Sequence, residues 1–485
     1  MHNQISQADQ SGWKWDHSYV RLPPLFYERA LPMPVKEAKI VVLNRKLAET
    51  LGLNADVLGN ADHHGIFVGN HLPEGAEPIA QAYAGHQFGH FTGLGDGRAI
   101  LLGEHLSPDG RRWDIQLKGA GRTQFSRGGD GRAALGPMLR EYLISESMAA
   151  LGIPTTRSLA VAATGEMVMR DKPLPGAVLT RVATSHIRVG TFQWAAAHQD
   201  EAALRALLAH TTARHFPEVD PMDARGFFMA AMERQVALVV EWMRVGFIHG
   251  VMNTDNMALS GETLDYGPCA FMDAYHPDTV FSSIDQGGRY AYANQASITR
   301  WNLARLAETL LPMFDEGRAR AADFANEMLG RFETIFQKRW LAMMRLKIGL
   351  LTEEADDALL VQDLLDRMHT AGADFTNTFR ALCREDVPPF HEEPLRVWHD
   401  RWSERLTRQP QPRHEAAEVM RAANPSVIPR NHSVENALIA ATSGDLSDFN
   451  NLVNVLSSPY KEPLDAVHTQ PPPVELPKYV TFCGT

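Results

Sequence analysis

Glycine is concentrated in one stretch of this chain to a degree that restricts how the stretch can fold. Between Gly85 and Gly136, thirteen of 52 residues are glycine, whereas the whole 485-residue chain has 36. Glycine adopts positive φ angles and allows close backbone approach, but it weakens the interior of helices and strands. The stretch is therefore predicted to form short strands between tight turns, with backbone available to a ligand.

Length and composition describe a globular chain of roughly two to three domain-sized units. Hydrophobic residues make up 44% and charged residues 22%, which excludes disordered, collagen-like and coiled-coil classes. No apolar run approaches the roughly 18 residues of a membrane-spanning helix. The first residues do not resemble a secretion signal, and three cysteines are too few for a disulfide framework. We expect a cytoplasmic monomer that does not bind membranes.

Charge is distributed unevenly along the chain. The net charge of −11 argues against a dedicated nucleic-acid-binding protein. Residues 81–190 nevertheless contain thirteen Lys and Arg against nine Asp and Glu. A basic, glycine-rich segment in an acidic chain indicates a small anionic ligand, and a nucleotide would fit.

The pattern of elements changes near residue 190. Residues 1 to about 80 show mixed helical and loop signals, and we expect them to wrap around the rest. The predicted elements that follow are strands at 98–103, 113–118, 158–162, 166–170 and 177–182, and a helix at 137–151. Long helices follow, the first of them capped by Asp220 and Pro221. We therefore predict an α+β protein, with residues 1–190 forming a sheet-containing part and residues 191–485 a helical part.

The strand at 113–118 carries a polar face that requires an explanation. In WDIQLK, Ile115 and Leu117 alternate with Asp114, Gln116 and Lys118. The polar face is expected to look at solvent or at a cleft.

The chemistry-bearing residues follow one another in the order of a kinase-type nucleotide site. A glycine turn with arginine (Gly95 to Arg98) precedes the strand lysine Lys118 and the helix glutamate Glu141, and Asp255, Asn256 and Asp265 lie far downstream. Such a site needs cations against phosphate oxygens and hard oxygen ligands for a divalent metal. Each feature by itself is weak evidence for a nucleotide site. Together, in this order, they predict a site of the kinase type.

Two helix glutamates compete for Lys118. Glu141 and Glu146 are five residues apart, so they point in different directions from the helix axis and cannot both face the lysine. We predict that Glu141 does. The alternative is that Lys118 is an ordinary solvated lysine and Glu141 an exposed helix residue.

The segment HGVMNTDN matches a kinase catalytic loop imperfectly. His249 and Asn256 have the spacing of the kinase motif, but Val251 stands where its aspartate is expected. Asp255 is then the nearby carboxylate able to act as a base. Asp265, followed by Tyr-Gly, is similar to the metal-binding aspartate of the kinase Asp-Phe-Gly motif. Turn-capping roles for Asn256 and Asp265, and a core role for His249, stay open.

Four longer strings carry a family resemblance. They are AGHQFGHFTGLGDGRAILLGE, QLKGAGRTQFSRGGDGRAALGPMLREYLISES, GAVLTRVATSHIRVGTFQ and GFIHGVMNTDNMALSGETLDYGPCAF. In this order they resemble the selenoprotein O (YdiU) family over most of the chain. The resemblance implies a protein-kinase-like two-lobed fold with a small sheet-containing N-lobe and a helical C-lobe. It also implies a protein adenylyltransferase, which moves AMP from ATP to Ser, Thr or Tyr hydroxyls of other proteins. ATP is inverted relative to kinases, so its α-phosphate meets the acceptor.

The resemblance also implies a role for each matching residue. ATP contacts are implied for Gly95, Gly97, Arg98, Lys118, Asp130, Gly131, Glu141 (through its pairing with Lys118), Arg181, Arg188 and Asp265. Asp255 would accept the hydroxyl proton, and Asn256 and Asp265 would hold Mg²⁺ or Mn²⁺. The local excess of arginine suits a pyrophosphate that is held as a leaving group.

The resemblance extends to two cysteines, and it leaves two other functions open. A disulfide between Cys269 and Cys483 would tie the C-terminal tail across the metal loop and regulate activity by redox state; unpaired thiols are the alternative. The other functions are ordinary γ-phosphoryl transfer, and a non-catalytic nucleotide-binding pseudokinase scaffold, which Val251 would suit.

Overall fold

The computed structural model describes residues 11–315, 317–384, 393–473, 475–477 and 479–482. Strands occupy mainly the first 190 residues, and helices dominate the rest. The strands are β1 (Trp15–Asp16), β2 (Tyr27–Arg29), β3 (Lys39–Leu43), β4 (Ile79–Gln81), β5 (Ala84–Gln87), β6 (His90–Gly93), β7 (Ala99–Leu106), β8 (Arg112–Lys118), β9 (Ala133–Ala134), β10 (Arg157–Met169), β11 (Pro173–Ala183), β12 (Phe247–Ile248) and β13 (Ala270–Phe271).

The α-helices of the described residues follow a similar order. They are α1 (Arg45–Leu51), α2 (Ala55–Leu58), α3 (Leu135–Ala150), α4 (Val189–Ala197), α5 (Glu201–His215), α6 (Ala224–Arg244), α7 (Gln295–Phe314), α8 (Arg318–Lys347), α9 (Asp357–Ala371), α10 (Phe375–Leu382), α11 (Glu393–Thr407), α12 (Arg413–Ala423), α13 (Asn431–Thr442) and α14 (Ser447–Leu456). None of these helices is both long enough and apolar enough to cross a membrane.

The main sheet has nine strands and is antiparallel throughout. Its central order is β2-β4-β7-β8-β11-β10-β3, with β1 beside β7 and β9 beside β11. Helix α3 packs on β10 and β11. Its observed limits agree with the predicted 137–151 to within two residues. The chain is thus a mixture of α and β structure with an antiparallel sheet.

The N-terminal residues contribute more to this sheet than their helical and loop signals predicted. β1, β2 and β3 all join it, and β3 pairs with β10. The sequence of β3, KIVVL, contains the β-branched residues that favour strands. The strands predicted at 158–162 and 166–170 form one strand, β10, with a register shift between Ala163 and Met167.

The start of helix α6 also differs from the prediction. Asp223, not Asp220, caps it, because the Asp223 side chain accepts a hydrogen bond from the amide of Gly226. Asp220 instead accepts from the amide of Met222 and closes a turn. The packing of Phe227 into the core agrees with a helix that begins after Asp223.

The two faces of the sheet are buried against different partners. One face packs on the N-terminal residues, in a core that includes Leu47, Phe67, Ile115 and Leu117. The opposite face packs on α3 and the helices that follow, in a core continuous with the rest of the chain. Ile115 and Leu117 face the first core, as their alternation predicted. The polar face of β8 therefore points toward α3 and the helical residues.

Candidate functional site

A cluster of four charged side chains, three of them buried, lies where the sheet meets the helices. The Lys118 Nζ atom donates to Glu141 Oε2 and to Asp265 Oδ1, both at 2.6 Å. Arg181 binds the other oxygen of Glu141 at 2.5 Å and lies 3.7 Å from Asp265. The cluster joins two strands, helix α3 and the loop before β13.

Strand register explains how the two cations come together. In the antiparallel pair of β8 and β11, Arg181 lies opposite Gln116. Gln116 and Lys118 share a face of β8 because they are two residues apart. The polar face of WDIQLK thus looks at a cleft, one of the two alternatives that the alternation allowed.

Glu141 is the helix glutamate that contacts Lys118. Glu146 points elsewhere and forms an ion pair with Arg157 at 2.6 Å. Burial opposes ionisation of Glu141, but the charges of Arg181 and Lys118 outweigh it and lower the pKa of this carboxyl. Glu141 is therefore an anion that orients both cations.

Asp265 is the one member of the cluster with substantial exposure, 37% of its side chain. Burial raises its pKa, but Lys118 and Arg181 lower it more, and the net pKa lies well below the usual range. Its φ angle of 69° is in the left-handed region, which is uncommon for a residue other than glycine. The buried His249 ring donates to the preceding carbonyl, that of Leu264, at 3.0 Å. Asp265 is thus an ionised carboxylate held in a defined direction.

The glycine turn before β7 packs tightly on the second glycine-rich loop. A Cβ atom on Gly95 would lie 2.4 Å from the Phe125 ring, and one on Gly97 would lie 2.8 Å from the Phe125 carbonyl oxygen. Between them, Asp96 is buried and accepts hydrogen bonds from the amide of Gln81 and the side chain of Gln116. Only glycine fits at either flanking position.

A cavity of about 520 Å³ lies between the two glycine loops. Asp130 and Gly131 belong to its wall, and Asp130 forms an ion pair with Arg170 at 2.8 Å. The predicted residues that line this cavity are Gly95, Gly97, Arg98, Asp130, Gly131 and Asp265. A second cavity, of about 470 Å³, is lined by Arg98, Lys118, Glu141 and Asp265 and reaches α13.

Arg188 lies on a different side of the cleft. It precedes α4, its guanidinium donates to the Asp255 carbonyl at 3.2 Å, and its Cζ atom lies 4.1 Å from the centre of the Tyr83 ring. Arg188 is buried. Arg181 is buried as well.

Asp255 and Asn256 occupy a short helical turn, residues Thr254–Asn256. Asp255 is 7% exposed, and its Oδ1 atom is buried without a hydrogen-bond partner among the described residues. Burial raises its pKa to about 6. The Asn256 amide nitrogen donates to the Val251 carbonyl at 3.0 Å, which leaves the amide oxygen as the atom able to bind a cation.

The two cysteines are not both described. Cys269 is fully buried, and burial raises the pKa of its thiol to about 11. Cys483 lies outside the described residues. The chain before it runs close to Cys269, since the Thr481 hydroxyl donates to the Pro268 carbonyl at 2.8 Å.

Two residues of the site, Gln116 and Tyr83, were not predicted from the sequence. Gln116 links Asp96 to Arg181. Its side-chain nitrogen donates to Asp96, and its side-chain oxygen lies 3.4 Å from the Arg181 guanidinium. Tyr83 supports Arg188. Gln116 could have been recognised, because it lies on the same strand face as Lys118, whereas Tyr83 carried no signal.

Comparisons with known proteins cover almost the whole chain. The family model described as protein adenylyltransferase SelO matches residues 11–457. Protein nucleotidyltransferase YdiU of Anoxybacillus flavithermus is 55% identical over 480 residues, which are 98% of this chain and 100% of that protein. The protein of this name from Syntrophotalea carbinolica is 56% identical over 483 residues, 98% of each chain. That of Rhizobium meliloti is 55% identical over 490 residues, 98% of this chain and 100% of the relative.

Proposed function

The chain belongs to the protein adenylyltransferase SelO family, and on that premise we propose that it transfers AMP from ATP to hydroxyl groups of other proteins and releases pyrophosphate. It is accordingly an enzyme of the nucleotidyltransferase class. The observation that carries the proposal is the 2.6 Å contact between Lys118 and Asp265, which joins a cation of the sheet to a carboxylate of the helical residues. A site for Mg-ATP needs cations for the phosphate oxygens, a carboxylate for the metal ion and close approach of the backbone, and the glycine-walled cleft combines these features.

The cations of the cleft hold the triphosphate in this proposal. Lys118 and Arg181 are already oriented by Glu141, so little reorganisation is needed when phosphate oxygens arrive. Arg188, which is buried, adds positive charge beside Asp255, and Arg98 lines both cavities. Gly95, Gly97, Asp130 and Gly131 form the walls. A pyrophosphate that accumulates charge as it leaves is stabilised by such fixed guanidinium groups.

Asp255 is the proposed proton acceptor. The acceptor hydroxyl oxygen forms a bond to the α-phosphorus, while the bond from that phosphorus to the oxygen bridging to the β-phosphate breaks. The hydroxyl proton passes to the Asp255 carboxylate, and pyrophosphate leaves. A buried carboxylate with a pKa of about 6 is a better base than an exposed aspartate, because catalysis improves as the pKa approaches the working pH.

Asn256 and Asp265 are the proposed ligands of Mg²⁺, or of Mn²⁺ in its place. Their donor atoms fit such an ion, because Asp265 is ionised and the Asn256 oxygen is oriented by the bond from its amide nitrogen to Val251. No group of three or more His, Cys, Asp or Glu residues that could hold a metal occurs in the described ranges. Mg²⁺ commonly takes one or two protein oxygens and completes its shell with phosphates and water. The bound ion would neutralise phosphate charge.

We also propose a kinase-like arrangement of two lobes, residues 1–190 and 191–485. The nine-stranded sheet ends at Ala183, and one of its two cores contains only residues between Val35 and Val182. The lysine of β8, the glutamate of α3 and the downstream Asn and Asp follow the kinase order. The cytoplasmic location, the monomeric state and the pairing of Cys269 with Cys483 stay predictions. Mass mapping of oxidised and reduced protein tests the disulfide.

One labelling experiment distinguishes the proposed activity from its alternatives. The protein is incubated with protein acceptors and ATP labelled at the α- or the γ-phosphate. Label from only the α position supports AMP transfer, and label from only the γ position would show an ordinary kinase. ATP binding without transfer of either label would show a scaffold. Asp265→Ala should abolish transfer, and unchanged turnover would refute the role of Asp265.

A further inference from the structure

A small hairpin stands apart from the main sheet. β5 and β6 pair only with each other, in a separate two-stranded sheet. Phe88 and Gly89 connect them, with φ angles of 50° and 90°. Two consecutive residues of positive φ are typical of the tight type I′ turn. The hairpin is therefore well defined internally but depends on other elements for its position.

This hairpin covers the carboxylate of Asp255. A Cβ atom on Gly85 would lie 2.2 Å from Asp255 Oδ1, so the β5 backbone lies directly on the carboxylate. Leu94, just beyond β6, closes the same side, since its Cδ1 atom is 2.8 Å from that Cβ position. The proposed base is thus shielded by the hairpin itself, which explains why Oδ1 has no hydrogen-bond partner within the described structure.

Two side chains next to Asp255 hold the hairpin in place. The His86 amide donates to Thr254 Oγ1 at 2.7 Å, and the Phe88 amide donates to Asn253 Oδ1 at 3.0 Å. Asn253 Oδ1 also accepts from the Tyr290 hydroxyl at 2.5 Å. Asn253 and Thr254, which bind two backbone amides of the hairpin, thus directly precede the base that the hairpin covers.

We propose that hairpin β5–β6 selects protein acceptors over water, with Asn253 and Thr254 as positioning residues. In the observed position the hairpin keeps water from Asp255. When a protein acceptor docks, it displaces the hairpin and reaches the carboxylate. The inference rests on the proposed function and adds to it the way in which the enzyme avoids wasting ATP. An uncovered base would be exposed to water, which is far more concentrated than any protein acceptor, and closed active sites prevent such side reactions.

The side reaction has a defined chemistry. A water oxygen would bond to the α-phosphorus, the bond to the β-bridging oxygen would break, and a water proton would pass to Asp255. The products would be AMP and pyrophosphate. Loss of the cover therefore raises ATP hydrolysis relative to AMP transfer, whereas general damage to the site lowers both.

The test compares hydrolysis with transfer in variants of the two anchors. Asn253→Ala and Thr254→Val each remove one acceptor of a hairpin amide. Thr211→Val is the matched control, because it also removes a buried threonine hydroxyl, one that bonds to the Leu207 carbonyl within α5 and not to the hairpin. AMP release without an acceptor and AMP incorporation into a protein acceptor are measured on full-length protein. Losing one hydrogen bond should raise the ratio of hydrolysis to transfer about fivefold in either variant. The control ratio and the ATP dissociation constants should stay at the wild-type values.

Hydrogen exchange provides the second measurement. Residues 84–93 should exchange faster in both variants and at the wild-type rate in the control. An unchanged ratio in variants whose hairpin exchanges faster overturns the inference, as does a parallel fall of both rates. If Asn253→Ala does not fold, Thr254→Val decides. Wild-type protein that transfers no AMP to any acceptor refutes the proposed function itself, whereas wild-type transfer with unchanged variant ratios refutes only the role of the hairpin.

Discussion

Lys118 and Asp265 are 147 residues apart in the chain, yet the lysine ammonium lies 2.6 Å from the aspartate carboxylate. Glu141 contacts the same ammonium at an equal distance. The lysine is thus shared between a helix carboxylate that stays in place and a loop carboxylate that is one-third exposed to the cleft. In the proposed function, a phosphate oxygen of ATP takes the place of Asp265 at Lys118, while the contact with Glu141 is kept.

Lys118→Met should abolish ATP binding and destabilise the fold. It leaves Glu141 and Asp265 facing Arg181 alone, and removal of one partner of a buried ion pair costs about 3–5 kcal/mol. Denaturant unfolding and ATP titration measure the two effects. The exposed Lys39 of β3 provides the control, and Lys39→Met should change neither. Equal effects of both substitutions would contradict the assignment.

Glu141→Gln should lower AMP transfer by about 100-fold, the usual loss when an oriented charge of an active site is removed. The neutral amide no longer balances Lys118 and Arg181. Glu146→Gln, five residues further along α3, is the matched control, because Glu146 contacts Arg157 instead. Its transfer rate should stay within about twofold of wild type. A larger loss at Glu146 than at Glu141 would reverse the roles of the two residues.

Asp255→Asn should separate binding from chemistry. The amide keeps the size of the carboxyl group but cannot accept the hydroxyl proton, so transfer should fall by about 10²–10⁴-fold. The ATP dissociation constant, measured by calorimetry, should stay near the wild-type value. A variant that loses ATP affinity and transfer in proportion would show that Asp255 acts in nucleotide binding.

Gly95→Ala should weaken ATP binding at least about tenfold, or about 1.4 kcal/mol. Its φ is 118°, and the added methyl would collide with the Phe125 ring at 2.4 Å. Gly110→Ala shares the positive φ, at 80°, but has open space around it. Both variants carry backbone strain, and only the first should lose ATP affinity in titration.

Glu262→Gln should change how stability depends on pH. Burial raises the pKa of Glu262 from 4.5 to about 7. Between these values the folded protein binds more protons than the unfolded chain, so the free energy of unfolding falls as pH rises. The variant lacks this decrease. Between about pH 5 and about pH 8, its free energy of unfolding should therefore rise relative to that of the wild type by on the order of 2 kcal/mol. Urea unfolding measures it, with exposed Glu218→Gln as the control.

The parts of the site that were predictable are those set by local pattern. Alternation in WDIQLK separated the apolar face of β8 from its polar face, and helical rotation separated Glu141 from Glu146. The limits of α3 were predicted to within two residues. These signals work because strand and helix periodicity fix the direction of side chains before any tertiary contact forms.

The remaining parts depend on contacts between distant segments. The sequences of β5 and β6, AGHQ and HFTG, contain few strand-favouring residues, so the hairpin becomes evident only where it lies on Asp255. The burial of Asp255, which raises its pKa, has the same origin. The cap of α6 was mispredicted because Asp220 followed by Pro221 is typical of a helix start, whereas in the structure Asp220 closes a turn and the helix begins after Asp223.

The charged cluster has a consequence for synthesis of the protein on the ribosome. Lys118, Glu141 and Arg181 are synthesised before Asp265, and together they carry a net charge of one positive. The nascent sheet can therefore bury Glu141 between two cations, with one positive charge not yet balanced. Asp265 emerges last and supplies the missing carboxylate. Within this cluster, translation therefore delivers each carboxylate after a cation that can pair with it: Glu141 after Lys118, and Asp265 after Arg181.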